Sequence, residues 1–301
     1  MRQTLVLLAL LGTPFATACS QHINPSPADE HAGHTSASPG ASINVAAGNT
    51  ALPAGAAEAE ARVAASPRHG EWIMVRTGPA DSVRAWVVYP ERSERAPVVL
   101  VVHEIFGLTT WIRAVTDQLA ADGFIAIAPD LLSGKNVPAG PGGEPVRDSA
   151  TAAIRTLDPA DVQRRLDAVA KHGMALPAAL PRYGIVGFCW GGTVAFAHAA
   201  HAPSLGASVV FYGSSPATGT LSRVQAPVLG LYGQNDARVN ATIAPADSAM
   251  RALGKTFQHE IYPGAGHGFL RAQDGQEGAN LAATRAAWPR TIEWFRKQLG
   301  G

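Results

Sequence analysis

The sequence of 301 residues has few cysteines and almost no excess charge. Its two cysteines, Cys19 and Cys189, form no Cys-x-x-Cys motif, so neither a disulfide framework nor a structural zinc site is predicted. The 24 basic and 23 acidic residues leave a net charge of +1, and no basic run suggests a nucleic-acid surface. We therefore expect a small-molecule partner, no nucleic acid and no bound metal.

The first 18 residues have the pattern of an export signal. A basic start is followed by a short apolar run, residues 5–11, which is too short to span a bilayer. Small residues at 16–18 then resemble a cleavage site in front of Cys19. We predict a signal peptide over residues 1–18 and an exported protein, either periplasmic or anchored to the membrane by a lipid on Cys19. Cleavage without lipidation stays open, because Ala16 stands where lipoproteins prefer Leu or Val.

Residues 19–69 are rich in Ala, Gly, Ser and Pro and contain almost no large apolar side chains. Such a composition buries too little apolar surface to offset the entropy of ordering. We predict a disordered tether over 19–69 and a single folded domain over 70–301. With 47% hydrophobic residues overall, the chain can build a sizeable core.

The folded part alternates between strand-like and helix-like patterns. Strands are predicted at 72–76, 83–89, 98–102, 124–128, 183–186, 207–212, 228–232 and 257–262. Helices are predicted at 110–121, 161–172, 193–201, 245–253 and 282–299. Two early strands without helices, followed by regular alternation, predict an α/β fold: a mostly parallel eight-stranded sheet with an antiparallel edge and flanking helices.

The segment Gly187-Phe188-Cys189-Trp190-Gly191-Gly192 joins a predicted strand directly to a predicted helix. Its glycines suit a tight turn that projects the Cys189 side chain from the sheet. We expect the helix N-terminus and the neighbouring backbone N–H groups to favour a Cys189 thiolate. The alternative is a buried structural cysteine, since free cysteine is among the most buried residue types.

A cysteine nucleophile needs a base, and the base needs a group that fixes its tautomer. Asp236 and His267 each follow a predicted strand, and the chain order Cys189, Asp236, His267 is that of α/β-hydrolases. Asp247 is a rival acid, but it lies inside a helical stretch, where solvated or capping carboxylates are usual. We predict that His267 is the base and that Asp236 orients it.

Together these motifs resemble the dienelactone hydrolases (carboxymethylenebutenolidases). The resemblance covers residues 71–299. It rests on the segment Gly187–Gly192 around Cys189 and on four further segments: His103-Glu104-Ile105-Phe106-Gly107-Leu108, Pro129-Asp130-Leu131, Gly233-Gln234-Asn235-Asp236 and Tyr262-Pro263-Gly264-Ala265-Gly266-His267-Gly268-Phe269. It implies an α/β-hydrolase fold, a Cys-His-Asp triad and an ester or lactone substrate, with no cofactor.

The resemblance also implies roles for residues outside the triad. Glu104 would hold the Cys189 thiol in reserve until substrate binds, which limits oxidation of an exposed thiolate. The backbone N–H groups of Ile105 and Trp190 would form the oxyanion hole.

Family members acting on dienelactone hold its carboxylate with two arginines. Arg271 matches one of them, but Gly134 stands where the other is expected, and Lys135 is the candidate substitute. The Pro- and Gly-rich loop 136–148 is a candidate lid or specificity loop.

We therefore expect an exported hydrolase of a carboxylic ester or lactone. The alternatives are a non-catalytic binding lipoprotein on the same fold and a thiol-based acyltransferase that uses Cys189. Contact with a membrane is expected only through a lipid on Cys19.

Overall fold

The computed structural model describes residues 51–300. Its strands are β1 Gly70–Arg76, β2 Ser82–Val88, β3 Ala96–Val102, β4 Ile125–Pro129, β5 Ala179–Phe188, β6 Ala207–Phe211, β7 Val228–Asn235 and β8 Phe257–Gly266. Its helices are α1 Ala59–Ala64, α2 Thr110–Ala121, α3 Arg147–Ile154, α4 Pro159–Met174, α5 Trp190–Ala199, α6 Ala237–Asn240, α7 Ile243–Ala252 and α8 Ala279–Leu299.

The strands form one sheet in the order β1-β2-β4-β3-β5-β6-β7-β8. Strand β2 runs antiparallel to both of its neighbours, and every other pair is parallel. The predicted α/β class, the eight strands and the antiparallel edge are confirmed. In such a sheet the loops after the parallel strands meet at one edge, where ligands bind.

Helices cover both faces of the sheet, which explains why its central strands are continuously apolar. All seven residues of β3 are buried. Alternate side chains of β3 contribute to two separate cores: Val98, Leu100 and Val102 pack on the face that includes residues of α4, α5 and α7. Val99 and Val101 pack on the face that includes residues of α2 and α8.

The predicted tether was wrong over residues 51–69. This segment contains α1 and the start of an ordered path into β1, with Leu52, Ala54 and Ala59 buried. Arg68 pairs with Asp117 of α2 at 2.6 Å. A few buried side chains, an ion pair and hydrogen bonds to side chains and backbone of the domain attach the segment. The predicted signal peptide, Cys19 and the tether up to residue 50 lie outside the described residues.

Candidate active site

Cys189 lies at the apex of a sharp turn between β5 and α5. Its φ of 57° and ψ of −117° are a strained conformation for a residue with a side chain. A Cβ on Gly187 would lie 1.9 Å from the carbonyl oxygen of Gly191, and a Cβ on Gly191 would lie 2.3 Å from that of Val102. The turn thus presses against the end of β3 and brings the loop after β3 beside Cys189.

His267 and Asp236 form a close pair at the same edge of the sheet. His267 Nδ1 lies 2.5 Å from Asp236 Oδ2, and the Asp236 carboxylate is buried. Asp236 also caps α6 by accepting the Val239 N–H at 3.4 Å. The rival Asp247 instead pairs with Arg251 on helix α7. Since Nδ1 is engaged by Asp236, Nε2 is the ring nitrogen left to exchange protons.

Two polar side chains before Asp236 hold its loop against the histidine loop. The Gly264 N–H donates to Gln234 Oε1 at 2.9 Å, and Asn235 Nδ2 donates to the Gly264 carbonyl at 3.0 Å. The ladder between β7 and β8 also ends at this point, with Asn235 opposite Gly266. These hydrogen bonds and the strand ladder therefore fix the backbone that positions Asp236 and His267 relative to each other.

The Cys189 thiol is protonated at neutral pH in this arrangement. Burial, together with the negative charge of Glu104, raises its pKa to about 11. The backbone N–H of Trp190 and the positive charge of Arg238 lower this pKa, but they do not overcome burial. The expected effect of the backbone N–H groups at the helix N-terminus is present, since the Trp190 N–H lowers the pKa of Cys189, but burial and the nearby carboxylate outweigh it.

Glu104 is the carboxylate beside that thiol. Its Oε2 lies 2.8 Å from Arg271 Nε, and the Glu104 residue is only 4% exposed. Burial raises the pKa of Glu104 to about 7, although the charges of Arg271 and Arg147 oppose the shift. Arg271 Nε makes an ion pair here but no well-aligned hydrogen bond within residues 51–300. Glu104 can thus change its protonation state near neutral pH.

The two backbone N–H groups expected to form the oxyanion hole come from different elements, Ile105 from the loop after β3 and Trp190 from the start of α5. The Ile105 N–H has no hydrogen-bond partner among the described residues, and the Trp190 N–H faces the Cys189 sulfur. His103 fixes the loop: its Nδ1 lies 2.7 Å from the Glu104 carbonyl oxygen, and its Nε2 accepts the Leu131 N–H at 3.2 Å. With both ring nitrogens engaged and the ring fully buried, His103 is structural.

Tyr212 belongs to the site but was missed by sequence reasoning. It directly follows β6, has a φ of 41°, and its buried hydroxyl has no hydrogen-bond partner within residues 51–300. Its ring centroid lies 5.2 Å from that of His267. Burial raises the pKa of Tyr212, as do the nearby Glu104 and Cys189. Only its position after a parallel strand could have drawn attention to it.

A cavity of about 420 Å³ lies beside Arg271. Its lining includes Phe106, part of the loop 141–147 and residues of α1. Arg147 lies over the Phe106 ring, with its guanidinium carbon 4.0 Å from the ring centroid. Lys135 is exposed and does not line this cavity. The structure thus brings Arg147 rather than Lys135 to the cavity that Arg271 borders.

The predicted specificity loop is also partly ordered. Ala139 and Pro145 form an isolated antiparallel bridge, and α3 begins at Arg147.

Among residues 51–300, no group of His, Cys, Asp or Glu is arranged to hold a metal ion, and no helix there is long and apolar enough to cross a membrane.

The sheet, its helices and the sharp turn after β5 define an α/β-hydrolase. The family model of the dienelactone hydrolase family matches residues 83–299. The chain belongs to the dienelactone hydrolase family, and it is a hydrolase of the kind that acts on ester or lactone bonds.

Relatives and solved structures agree with this assignment. A Salmonella typhimurium protein named "Putative carboxymethylenebutenolidase" is 34% identical, over 73% of this chain and 84% of that protein. A Bradyrhizobium protein named "Probable 2-oxo-3-(5-oxofuran-2-ylidene)propanoate lactonase" is 30% identical, over 77% of this chain and 95% of that protein. A Klebsiella pneumoniae structure described as "Putative Dienelactone Hydrolase" has a TM-score of 0.66 and 30% identity, over 76% of this chain and 98% of that one.

Proposed function

We propose that the protein is an exported hydrolase that cleaves a carboxylate-bearing ester or lactone through a covalent intermediate on Cys189. The observation that carries this proposal is the placement of Cys189 on a strained turn at the sheet edge that also holds the His267–Asp236 pair, 2.5 Å apart. This combination supplies a nucleophile, a base and a group that orients the base.

Glu104 couples substrate binding to activation of the thiol. A substrate carboxylate that binds Arg271 competes with Glu104 for the guanidinium, now 2.8 Å away. Because Arg271 lowers the pKa of Glu104, losing it makes the carboxylate a stronger proton acceptor. Glu104 then takes the proton from Cys189, and the thiolate attacks the carbonyl carbon. The thiol remains protonated, and protected from oxidation, when no substrate is bound.

The amides of Ile105 and Trp190 stabilise the oxyanion of the tetrahedral intermediate. Losing one such donor typically costs about 3 kcal/mol of transition-state stabilisation. As the bond to the leaving oxygen breaks, that oxygen takes the proton that Glu104 received from Cys189. His267 then accepts a proton from the water molecule that attacks the thioester, and it passes this proton to the Cys189 sulfur as the acid product leaves. Asp236 holds the imidazole in the required tautomer and stabilises its charged form.

Two arginines support a negatively charged substrate. Arg271 and Arg147 both border the cavity beside Phe106, and both guanidinium groups lie near that ring. The name of the Bradyrhizobium relative describes a lactone that bears a propanoate group. Arg147 would therefore take the position for which Lys135 was the sequence candidate. A neutral lactone would offer no carboxylate to Arg147 and would leave Arg271 paired with Glu104.

Kinetics of matched variants test this function. Cys189→Ala should abolish turnover of a chromogenic carboxylate-bearing ester, and Asp236→Asn should lower kcat by about 10²-fold or more, because the histidine loses its orienting charge. Asp247→Asn is the matched control and should behave like the wild type. Substrate binding without any turnover in the wild type would favour a binding protein, and undiminished turnover in Cys189→Ala would overturn the mechanism.

The segment before residue 51 supports export. Its signal pattern predicts cleavage before Cys19, and a lipid on that residue would anchor the enzyme to a membrane. The mass of the mature N-terminus tests both points: a chain that begins at Cys19 with added acyl mass is expected, and an intact Met1 would contradict export by this route.

A further inference from the structure

Residues 52–64, here called the strap, precede the residues matched by the family model and are fastened to the loop that carries Arg271. The Ala56 N–H donates to the Arg271 carbonyl oxygen at 2.8 Å. Gln273 Nε2 donates to the Pro53 carbonyl oxygen at 2.9 Å. One backbone hydrogen bond and one side-chain hydrogen bond thus join the strap to the segment whose guanidinium pairs with Glu104.

The strap is also fixed to helix α2. The Trp111 indole N–H donates to the Ala54 carbonyl oxygen at 3.1 Å. Arg62 donates to both the Leu52 carbonyl and the Gln118 side chain, each at 3.2 Å. Residues 52–55 of the strap are buried, with Leu52 7% and Ala54 4% exposed, and these hydrogen bonds satisfy the Leu52 and Ala54 carbonyl groups. Residues 56–58 are exposed.

Three strap residues, Ala56, Ala59 and Glu60, line the cavity beside Arg271. Another part of the lining is the loop 141–147, which is held to α2 because Glu144 accepts the Thr110 N–H at 2.8 Å. Both segments are therefore attached to the same helix. A volume of about 420 Å³ lies within the ~300–1,000 Å³ that is usual for small-molecule sites.

We propose that the strap is a wall of the substrate pocket and that the small side chain of Ala56 sets how far a substrate can extend past Arg271. This inference rests on the proposed hydrolase function. It assigns to the site a segment outside the family-matched residues. The substrates it favours are carboxylate-bearing esters whose chain reaches from Cys189 beyond Arg271, because alanine at this wall leaves the cavity open.

Neighbouring alanines of the strap provide a matched pair for the test. Both residues are exposed, but Ala56 lines the cavity and Ala57 does not. In the full chain, Ala56→Phe should lower the ratio of kcat/KM for p-nitrophenyl hemisuberate to that for hemisuccinate by about tenfold, since pocket contacts of a few methylenes are worth this much. Ala57→Phe should keep the wild-type ratio. Ala56→Leu replaces the Phe variant if melting shows that the latter does not fold.

A binding measurement separates failure of this inference from failure of the proposed function. Calorimetric titration of Cys189→Ala with suberate needs no turnover, and adding Ala56→Phe should weaken that binding about tenfold while adding Ala57→Phe should not. If the Ala56 variants keep the wild-type ratio of kcat/KM for the two esters and the wild-type affinity for suberate, the strap does not form a wall of the substrate pocket. Weakened suberate binding in an enzyme that hydrolyses neither ester would instead refute the hydrolase function and retain the wall.

Discussion

The reactivity of the resting Cys189 thiol can be worked out from its surroundings. With a pKa of about 11, only ~10⁻³ of the thiol is ionised at pH 8, whereas about a quarter of an unperturbed thiol of pKa ~8.5 is ionised. Alkylation by iodoacetamide should therefore be about 200-fold slower than for a free cysteine. Replacing Glu104 by Gln removes a negative charge that raises this pKa, so Glu104→Gln should speed alkylation.

The same substitution should have the opposite effect on catalysis. Gln cannot accept the thiol proton when substrate binds, so Glu104→Gln should lower kcat with a carboxylate-bearing ester while alkylation becomes faster. Alkylation of Cys189 is followed by peptide mass spectrometry across pH, in a Cys19→Ser background that removes the second cysteine. Turnover is followed on the same samples.

Two results would refute this account of the thiol. Alkylation that is half-maximal near pH 8 or below would mean that Cys189 rests as a thiolate or as an ordinary thiol. Slower alkylation together with slower turnover in Glu104→Gln would mean that Glu104 activates the resting thiol rather than holding it in reserve.

Three further substitutions test other parts of the structure. Gly191→Ala places a Cβ 2.3 Å from backbone and should destabilise the fold by about 1–3 kcal/mol in urea unfolding and reduce activity, whereas Gly219→Ala, which meets nothing within 4 Å, should do neither. Arg147→Ala should lower kcat/KM for a carboxylate-bearing ester about tenfold but leave that for a neutral ester unchanged, and Lys135→Ala, at an exposed residue, should change neither. An equal loss on both esters in Arg147→Ala would mean that Arg147 does not bind the substrate carboxylate. Burial lowers the pKa of His198 to about 4, so between ~pH 6.5 and ~4 the unfolded chain binds more protons than the folded one. The free energy of unfolding should therefore fall by up to about 3 kcal/mol as the pH drops through this range. Unfolding curves of His198→Gln should show a shallower fall, and an unchanged pH dependence would contradict this.

The sheet was predictable because its buried strands are short apolar runs between helical patterns. The eight strands and the helices α2, α4, α5, α7 and α8 were found. Because loops after parallel strands meet at one edge of a sheet, Asp236 and His267 could be predicted to lie at the edge that carries Cys189. These conclusions depend on local periodicity and on a general property of parallel sheets.

Other features depend on contacts between residues distant in the chain. The strap looked disordered because its composition is poor in large apolar residues, yet its order comes from hydrogen bonds to Trp111 and Arg271 that no local pattern encodes. Lys135 was nearest in sequence to the missing arginine, whereas Arg147 reaches the cavity through the start of α3. That burial outweighs the helix N-terminus at Cys189 likewise depends on packing, which a motif does not reveal.

Trapping the acyl-enzyme tests the central claim most directly. Wild-type protein quenched in acid during turnover of p-nitrophenyl hemisuccinate should carry the acyl mass on the peptide that contains Cys189, and Cys189→Ala should carry none. Turnover without a covalent adduct on Cys189, with activity kept in Cys189→Ala, would contradict the account.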